Sequence, residues 1–341
     1  MKTELFDYHL PETLIAQHPA QQRDQSRMLV LHRASGMLEH RTIRDLPEYL
    51  AAPDCLVLNN TQVIPARLFG QKETGGKIEL LLLHEEEPQH WRALLKASRR
   101  PAPGSHFILC NGEANATLLQ DGEKGEALLH IESNRPLLEL LDQYGLPPLP
   151  PYIRRKSPED YTTDRTRYQT IYASQPGAAA APTAGLHFTP QLLDHLKQKG
   201  IHPCQLTLHV GLGTFRPVTA ENITDHTMHA EQYHVTSEAA QQLQETRQNG
   251  GRILAIGSTS VRTLESLPSL QPASGATDIF IYPPYTFRHT DAILTNFHLP
   301  QSTLLMMMSA FSSREQLLNA YQEAVAHQYR FFSYGDCMLI L

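Results

Sequence analysis

The chain has 341 residues, of which 41% are hydrophobic and 19% charged, and its formal net charge is −6. This is a globular composition of about two domains. It is large enough to bury a core without staples, and it excludes collagenous, coiled-coil and disordered chains. An acidic chain is no general nucleic-acid coat either, so any nucleic-acid contact must come from a local basic patch.

The four cysteines, Cys55, Cys110, Cys204 and Cys337, are widely separated. That spacing excludes CxxC redox and zinc-ribbon motifs and fits a reducing compartment. Residues 1–14 hold no signal-peptide apolar run. The longest apolar runs, such as residues 304–308, are too short to span a bilayer. A soluble cytoplasmic protein is expected.

Two strands open the chain, at residues 28–31 and 55–58, the second left through Asn59 and Asn60. From 61 to 150 the texture changes. Short β-like runs at 66–70, 78–83, 91–96, 106–110, 114–119 and 127–131 alternate with turn signals such as Gly75-Gly76, Asn111-Gly112 and Asp121-Gly122. Such spacing predicts a small sandwich or barrel. The proline-rich run 147–151 ends it as a stiff connector. An inserted β-domain at 61–150 therefore divides a larger domain made of 1–60 and 151–341.

The remainder alternates strand and helix. Thr189 caps a helix with Pro190 in its first turn, ended by Gly200. Residues 202–210 read as a strand, and Ser237 caps the next helix, which stops at Gly250 and Gly251. Strand 252–256 leads into a tight turn at 257–260 and a helix over 261–267. Strand 292–297 leads through Pro300 to a helix over 302–311. A last amphipathic helix starts at Ser313, with Leu317, Leu318, Tyr321 and Val325 on one face. This alternation predicts an α/β layer with a mostly parallel sheet, whose ligands sit at the C-terminal strand ends.

Candidate functional residues cluster at those ends. The Ser258, Thr259, Ser260 and Arg262 turn joins strand to helix, where backbone N–H groups and hydroxyls suit an anion; a plain helix cap is the alternative. Thr214 and Arg216 follow a strand with two glycines, which otherwise serve as a turn. His226, His229 and Glu231 suit acid–base work or substrate binding; a metal site is weaker, because the spacing is not HExxH. Thr183 and His187 lie in a small-residue loop, and Asn296, His298 and Ser302 at a strand end and helix start. Arg330 and Asp336 lie in an aromatic segment whose rings could stack on a base but more often form core. Two basic patches stand out: Arg92, Lys96, Arg99 and Arg100, and Arg154, Arg155 and Lys156 with Arg165 and Arg167 beyond. Either could meet phosphates or be a solvated face.

Taken together and in order, these motifs resemble the S-adenosylmethionine:tRNA ribosyltransferase-isomerase family of queuosine biosynthesis. The matching stretches are 6–11 with 14–19, 56–61, 66–70 with Gly75, Gly76 and Glu79, 167–172, 181–189, 209–218, 229–231, 257–266, 295–311 and 329–340. A small departure is Leu212, where the family more often has Ala. The resemblance implies an α/β domain with an inserted β-barrel. It implies S-adenosylmethionine as ribosyl donor and, as acceptor, 7-aminomethyl-7-deazaguanine at the wobble position of tRNA with a GUN anticodon. Epoxyqueuosine is the product, and adenine and methionine leave.

That chemistry suggests roles. His187, His229 and His298 are candidate bases; Glu231 and Asp336 hold the substrate amine or act as acid. Thr259, Ser260 and Arg262 take the methionine carboxylate or a phosphate. Thr183, Thr214, Asn296 and Ser302 join Arg67, Glu79 and Arg167 as substrate-binding candidates. Arg99, Arg100, Arg154, Arg155 and Lys156 are expected to meet the tRNA. No step needs a metal or further cofactor, and a monomer is expected. The rival readings are a metal-dependent hydrolase built on His226, His229 and Glu231, an RNA-binding module without chemistry, and an S-adenosylmethionine methyltransferase.

Overall fold

The computed structural model describes residues 1–211 and 218–341, apart from the side chains of Lys124, Pro158 and Glu159. The chain begins in the large domain with β1 (Arg27–His32), β2 (Met37–Thr42) and β3 (Cys55–Asn59), followed by the short β4 (Thr61–Val63). It then leaves for β5 (Arg67–Lys72), β6 (Lys77–Glu87), β7 (His90–Ala97), β8 (His106–Leu109), β9 (Ala114–Asp121) and β10 (Glu126–Ser133). These six close into an antiparallel barrel in the order β10-β7-β6-β5-β8-β9. Alternation shows in β7 and β10, where Ala93 and Leu95, and Ala127 and Leu129, are buried between less buried neighbours, whereas β6 buries Leu80, Leu81 and Leu82 in succession. Helix α1 (Leu137–Tyr144) adds Leu140 and Leu141 to this core, whose buried residues run from Ile64 to Leu141.

The return path carries α2 (Thr162–Arg167), β11 (Gln175–Ala178), α3 (Pro190–Gln198), β12 (Pro203–Leu208), β13 (Glu231–Val235) and α4 (Ser237–Gln248). Next come β14 (Ile253–Ile256), α5 (Ser258–Ser266), β15 (Ala273–Thr277), β16 (Ala292–Asn296), α6 (Thr303–Phe311), α7 (Arg314–Ala326) and β17 (Cys337–Ile340). The large sheet runs β15-β13-β12-β3-β14-β16-β17-β1-β2. It is mixed. Strands β12, β3, β14 and β16 form a parallel centre, β1 pairs with β17 in parallel, and the other pairings are antiparallel. β11 pairs with β4 apart from it.

Both faces of the centre are covered, which is why its strands read as unbroken apolar runs. Leu29, Leu31 and Val57 face one core with Leu243, Leu264 and Met308. Met28, Val30 and Leu56 face the other with Leu192 and Leu196 of α3. Caps fix the helix starts: Thr189 Oγ1 accepts from Leu192 N–H, and Ser302 and Ser313 do the same for α6 and α7. Two starts differ from the sequence reading. Thr236, not Ser237, accepts the Ala239 N–H that caps α4. Residues 258–260 are already helical, because Gly257 takes φ of 84° and turns the chain directly into α5. No helix among the described residues is long and apolar enough to cross a membrane.

Candidate functional site

Beyond the C-terminal ends of β12, β14 and β16 lies a cleft of about 610 Å³ that opens to solvent. Its floor is the junction where β14 becomes α5, with Gly257, Ser258 and Thr259 on the wall. Thr183 and Ala184 form one side, in the loop where a side chain at Gly185 would meet Tyr172 Oη at 2.0 Å. Asn296, His298 and Ser302 descend from β16 on the other. Phe332, Ser333 and Tyr152 close the rim, joined by a 2.7 Å hydrogen bond between Tyr152 Oη and Ser333 Oγ.

Asn296 sits at the centre of the polar wiring. Its Nδ2 donates to Phe332 O at 3.0 Å and lies 3.2 Å from His187 Nε2. An amide donor there leaves Nε2 as the acceptor and the ring proton on Nδ1. Asn296 Oδ1 and Thr259 Oγ1 are buried without a hydrogen-bond partner. Both belong to residues that line the cleft, and such groups call for a polar ligand. Phe332 holds φ of 70°, an uncommon conformation for a bulky residue, while its carbonyl anchors Asn296.

Two imidazoles here are kept neutral. Burial pushes His298 down to about 3, and burial also pushes His187 down to about 4, against a partial upward pull from Asp336. His298 is fixed from both ends: Tyr8 Oη donates to its carbonyl at 2.5 Å, and its N–H donates to Tyr321 Oη at 2.9 Å. Its Nε2 meets Thr295 Oγ1 at 2.8 Å. His187 opens on a second, smaller cleft with Arg23 and Arg167.

The structure thus brings Thr183, Thr259, Asn296, His298 and Ser302 to one cleft, with His187 one contact away. Other candidates stand elsewhere. Ser260 Oγ donates back to Ile256 O along its own helix. Arg262 forms a buried pair with Glu231, whose other oxygen accepts Gly211 N–H at 2.7 Å. Asp336 accepts from the backbone N–H groups of Arg27 and Arg330 and so closes the 329–336 loop. His229 is exposed, and His226 packs against Phe280. Those two histidines and Glu231 do not converge on a metal-sized point; among the described residues only His40, Glu323 and His327 do. Arg67 and Glu79 pair with each other on the barrel, outside both clefts.

Of the expected RNA-binding cations, Arg99, Arg154 and Lys156 are exposed. Arg100 pairs with Asp121, and Arg155 with Asp164 in a nearly inaccessible bridge. Thr214 lies outside the described residues. The sequence reading missed Tyr152, Thr295 and Ser333. Their signal was adjacency: Tyr152 follows the proline run, Thr295 precedes Asn296, and Ser333 lies inside the aromatic segment.

Comparison with known proteins agrees along the whole chain. The family model described as queuosine biosynthesis protein matches residues 3–340. An S-adenosylmethionine:tRNA ribosyltransferase-isomerase from Staphylococcus epidermidis is 50% identical, with all of both chains covered. One from Staphylococcus saprophyticus is 49% identical over the same extent. The crystal structure of an S-adenosylmethionine tRNA ribosyltransferase from Thermotoga maritima is 37% identical, with a TM-score of 0.57 over 99% of this chain and 100% of that one. With a strand-end cleft, an inserted barrel and full-length similarity in agreement, the chain belongs to the queuosine biosynthesis family.

Proposed function

We propose that this protein transfers and isomerises the ribosyl group of S-adenosylmethionine onto 7-aminomethyl-7-deazaguanine at the wobble position of tRNAs with GUN anticodons. The product is epoxyqueuosine in tRNA; adenine, methionine and a proton are released. The full-length similarity to enzymes of that name carries this reading, and the cleft supports it with parts suited to the chemistry.

The sulfonium acidifies the neighbouring 5′ C–H of the ribose, and removing that proton needs a neutral base held close to it. His298 is the first candidate by position: it lines the cleft and is fixed at both backbone ends. His187 is the second candidate, reached through Asn296. Asn296 Oδ1 and Thr259 Oγ1 bind polar groups of the nucleoside or of the methionine moiety. Asp336 acts as a positioning residue that holds Phe332 and Ser333 at the rim. The acceptor amine must lose a proton before it attacks, and the departing adenine gains one. Arg99, Arg154 and Lys156 meet the anticodon arm, and a single chain in the cytoplasm suffices for the reaction. S-adenosylmethionine is the only small co-substrate required.

The test is product analysis. The protein is incubated with S-adenosylmethionine and tRNA carrying the aminomethyl base, with chelator present. Adenine and methionine should appear only with the modified tRNA, together with the matching mass gain on the nucleoside. Release of S-adenosylhomocysteine would instead make the protein a methyltransferase.

A further inference from the structure

Beside the main cleft, and sharing Ser333 with it, is a cleft of about 250 Å³ walled by Arg23, Arg167 and His187. The two guanidinium groups are held by main-chain carbonyls. Arg23 donates to Leu186 O at 3.0 Å and Thr166 O at 2.9 Å. Arg167 donates to Ala20 O at 2.6 Å and Gln21 O at 3.3 Å. Carbonyls fix the planes of these groups but leave their charges whole. Among the described residues, neither arginine forms an ion pair with a carboxylate. Arg167 Nε is buried with no hydrogen-bond partner. Burial, and then the charge of Arg167, pull the Arg23 guanidinium below its ordinary value.

Two uncompensated guanidiniums, one with a spare buried donor, at the wall of an open cleft form a receptor for an oxyanion. We infer that this cleft binds an anionic oxygen group of the reactants: a backbone phosphate next to the wobble nucleotide, or the carboxylate of the methionine moiety. The occupant's identity rests on the function proposed above. Either group, once bound, aligns the reactant beside His187, which lines this cleft and lies 3.2 Å from Asn296 of the main one. An anion seated there also relieves the repulsion between the two arginines.

Three variants test this: Arg23→Gln, Arg167→Gln and Ala20→Asp. The third supplies an internal carboxylate at the cleft wall and leaves every arginine hydrogen bond to a carbonyl in place. It therefore decides the matter even if an arginine variant fails to fold. For each variant the Kd for modified tRNA is measured against salt, alongside the KM for S-adenosylmethionine. If the occupant is a phosphate, tRNA Kd rises about tenfold. The slope of log K against log salt then falls by about 0.7 per lost contact, and the KM for S-adenosylmethionine holds. If it is the carboxylate, the KM rises about tenfold and the tRNA slope holds. Unchanged values for a folded Ala20→Asp protein would overturn the inference. Should the unmodified protein release no adenine, the functional reading falls, while the tRNA slope still decides the phosphate site by itself.

Discussion

On the barrel wall, Arg92 pairs with Glu86, Arg100 with Asp121 and Arg135 with Glu113, all with part of each side chain in solvent. In the large domain, Arg155 and Asp164 are 3% and 1% exposed, and Arg262 and Glu231 are 3% and 6% exposed. The barrel keeps its charges wet and stands on apolar alternation. The large domain places charges inside, where each pair fastens loops: Arg155 also reaches Gln17 O, and Glu231 holds Gly211 beside β12. Exposed pairs are worth about 0–1 kcal/mol, whereas removing one member of a buried pair costs about 3–5 kcal/mol. The contrast separates a domain whose ion pairs lie at its surface from one that also buries ion pairs to hold its loops.

The contrast is sharpest in activity. His298→Ala should lower kcat by about 10²–10⁴-fold while the melting temperature of the barrel core is unchanged, if His298 is the base; single-turnover adenine release reads it. An unaffected rate would move the base to His187. Next in size, Glu231→Ala strands the Arg262 charge and should cost about 3–5 kcal/mol in chemical denaturation. A loss below 1 kcal/mol would show that this interior tolerates charge as the barrel surface does.

Acid should separate the regions too. His187 and His298 are buried neutral, with values near 4 and 3. Between those values and the ordinary 6.5 or so, the unfolded chain binds more protons than the folded one. Stability of the large domain is therefore fully present above about pH 6.5 and falls as pH drops toward 4, by about 1.4 kcal/mol per pH unit for each histidine. Urea titrations across that range measure it; flat stability would contradict the buried neutral assignment. The smallest effect belongs to the barrel: Arg100→Ala should change stability by less than about 1 kcal/mol.

The barrel was the more legible region. Each of its strands was readable as a short β-like run between turn signals such as Gly75-Gly76, Asn111-Gly112 and Asp121-Gly122. In the large sheet, burial on both faces erases period-two alternation, and the short strands β13 and β15 gave no signal of their own. The cap at Thr236 went to its neighbour Ser237 because both residue types cap well. For the site, Thr183, Thr259, Asn296, His298 and Ser302 were legible because they directly follow strand ends or flank helix starts. Arg100 and Arg155 read as free cations because their partners, Asp121 and Asp164, are joined to them only by folding. Tyr152 and Ser333 touch across 181 positions of chain, and Arg23 and Arg167 share a cleft only once the N-terminal segment packs on the end of α2. Contacts of that separation leave no local mark.

The cleft beyond β12, β14 and β16 is where we propose that the co-substrate reacts. The most direct test of that placement is a structure of the protein with S-adenosylmethionine bound. Density for the nucleoside is expected among Thr259, Asn296 and His298, with the 5′ carbon within reach of an imidazole. Density elsewhere, such as beside His226 and His229 with the cleft empty, would contradict it.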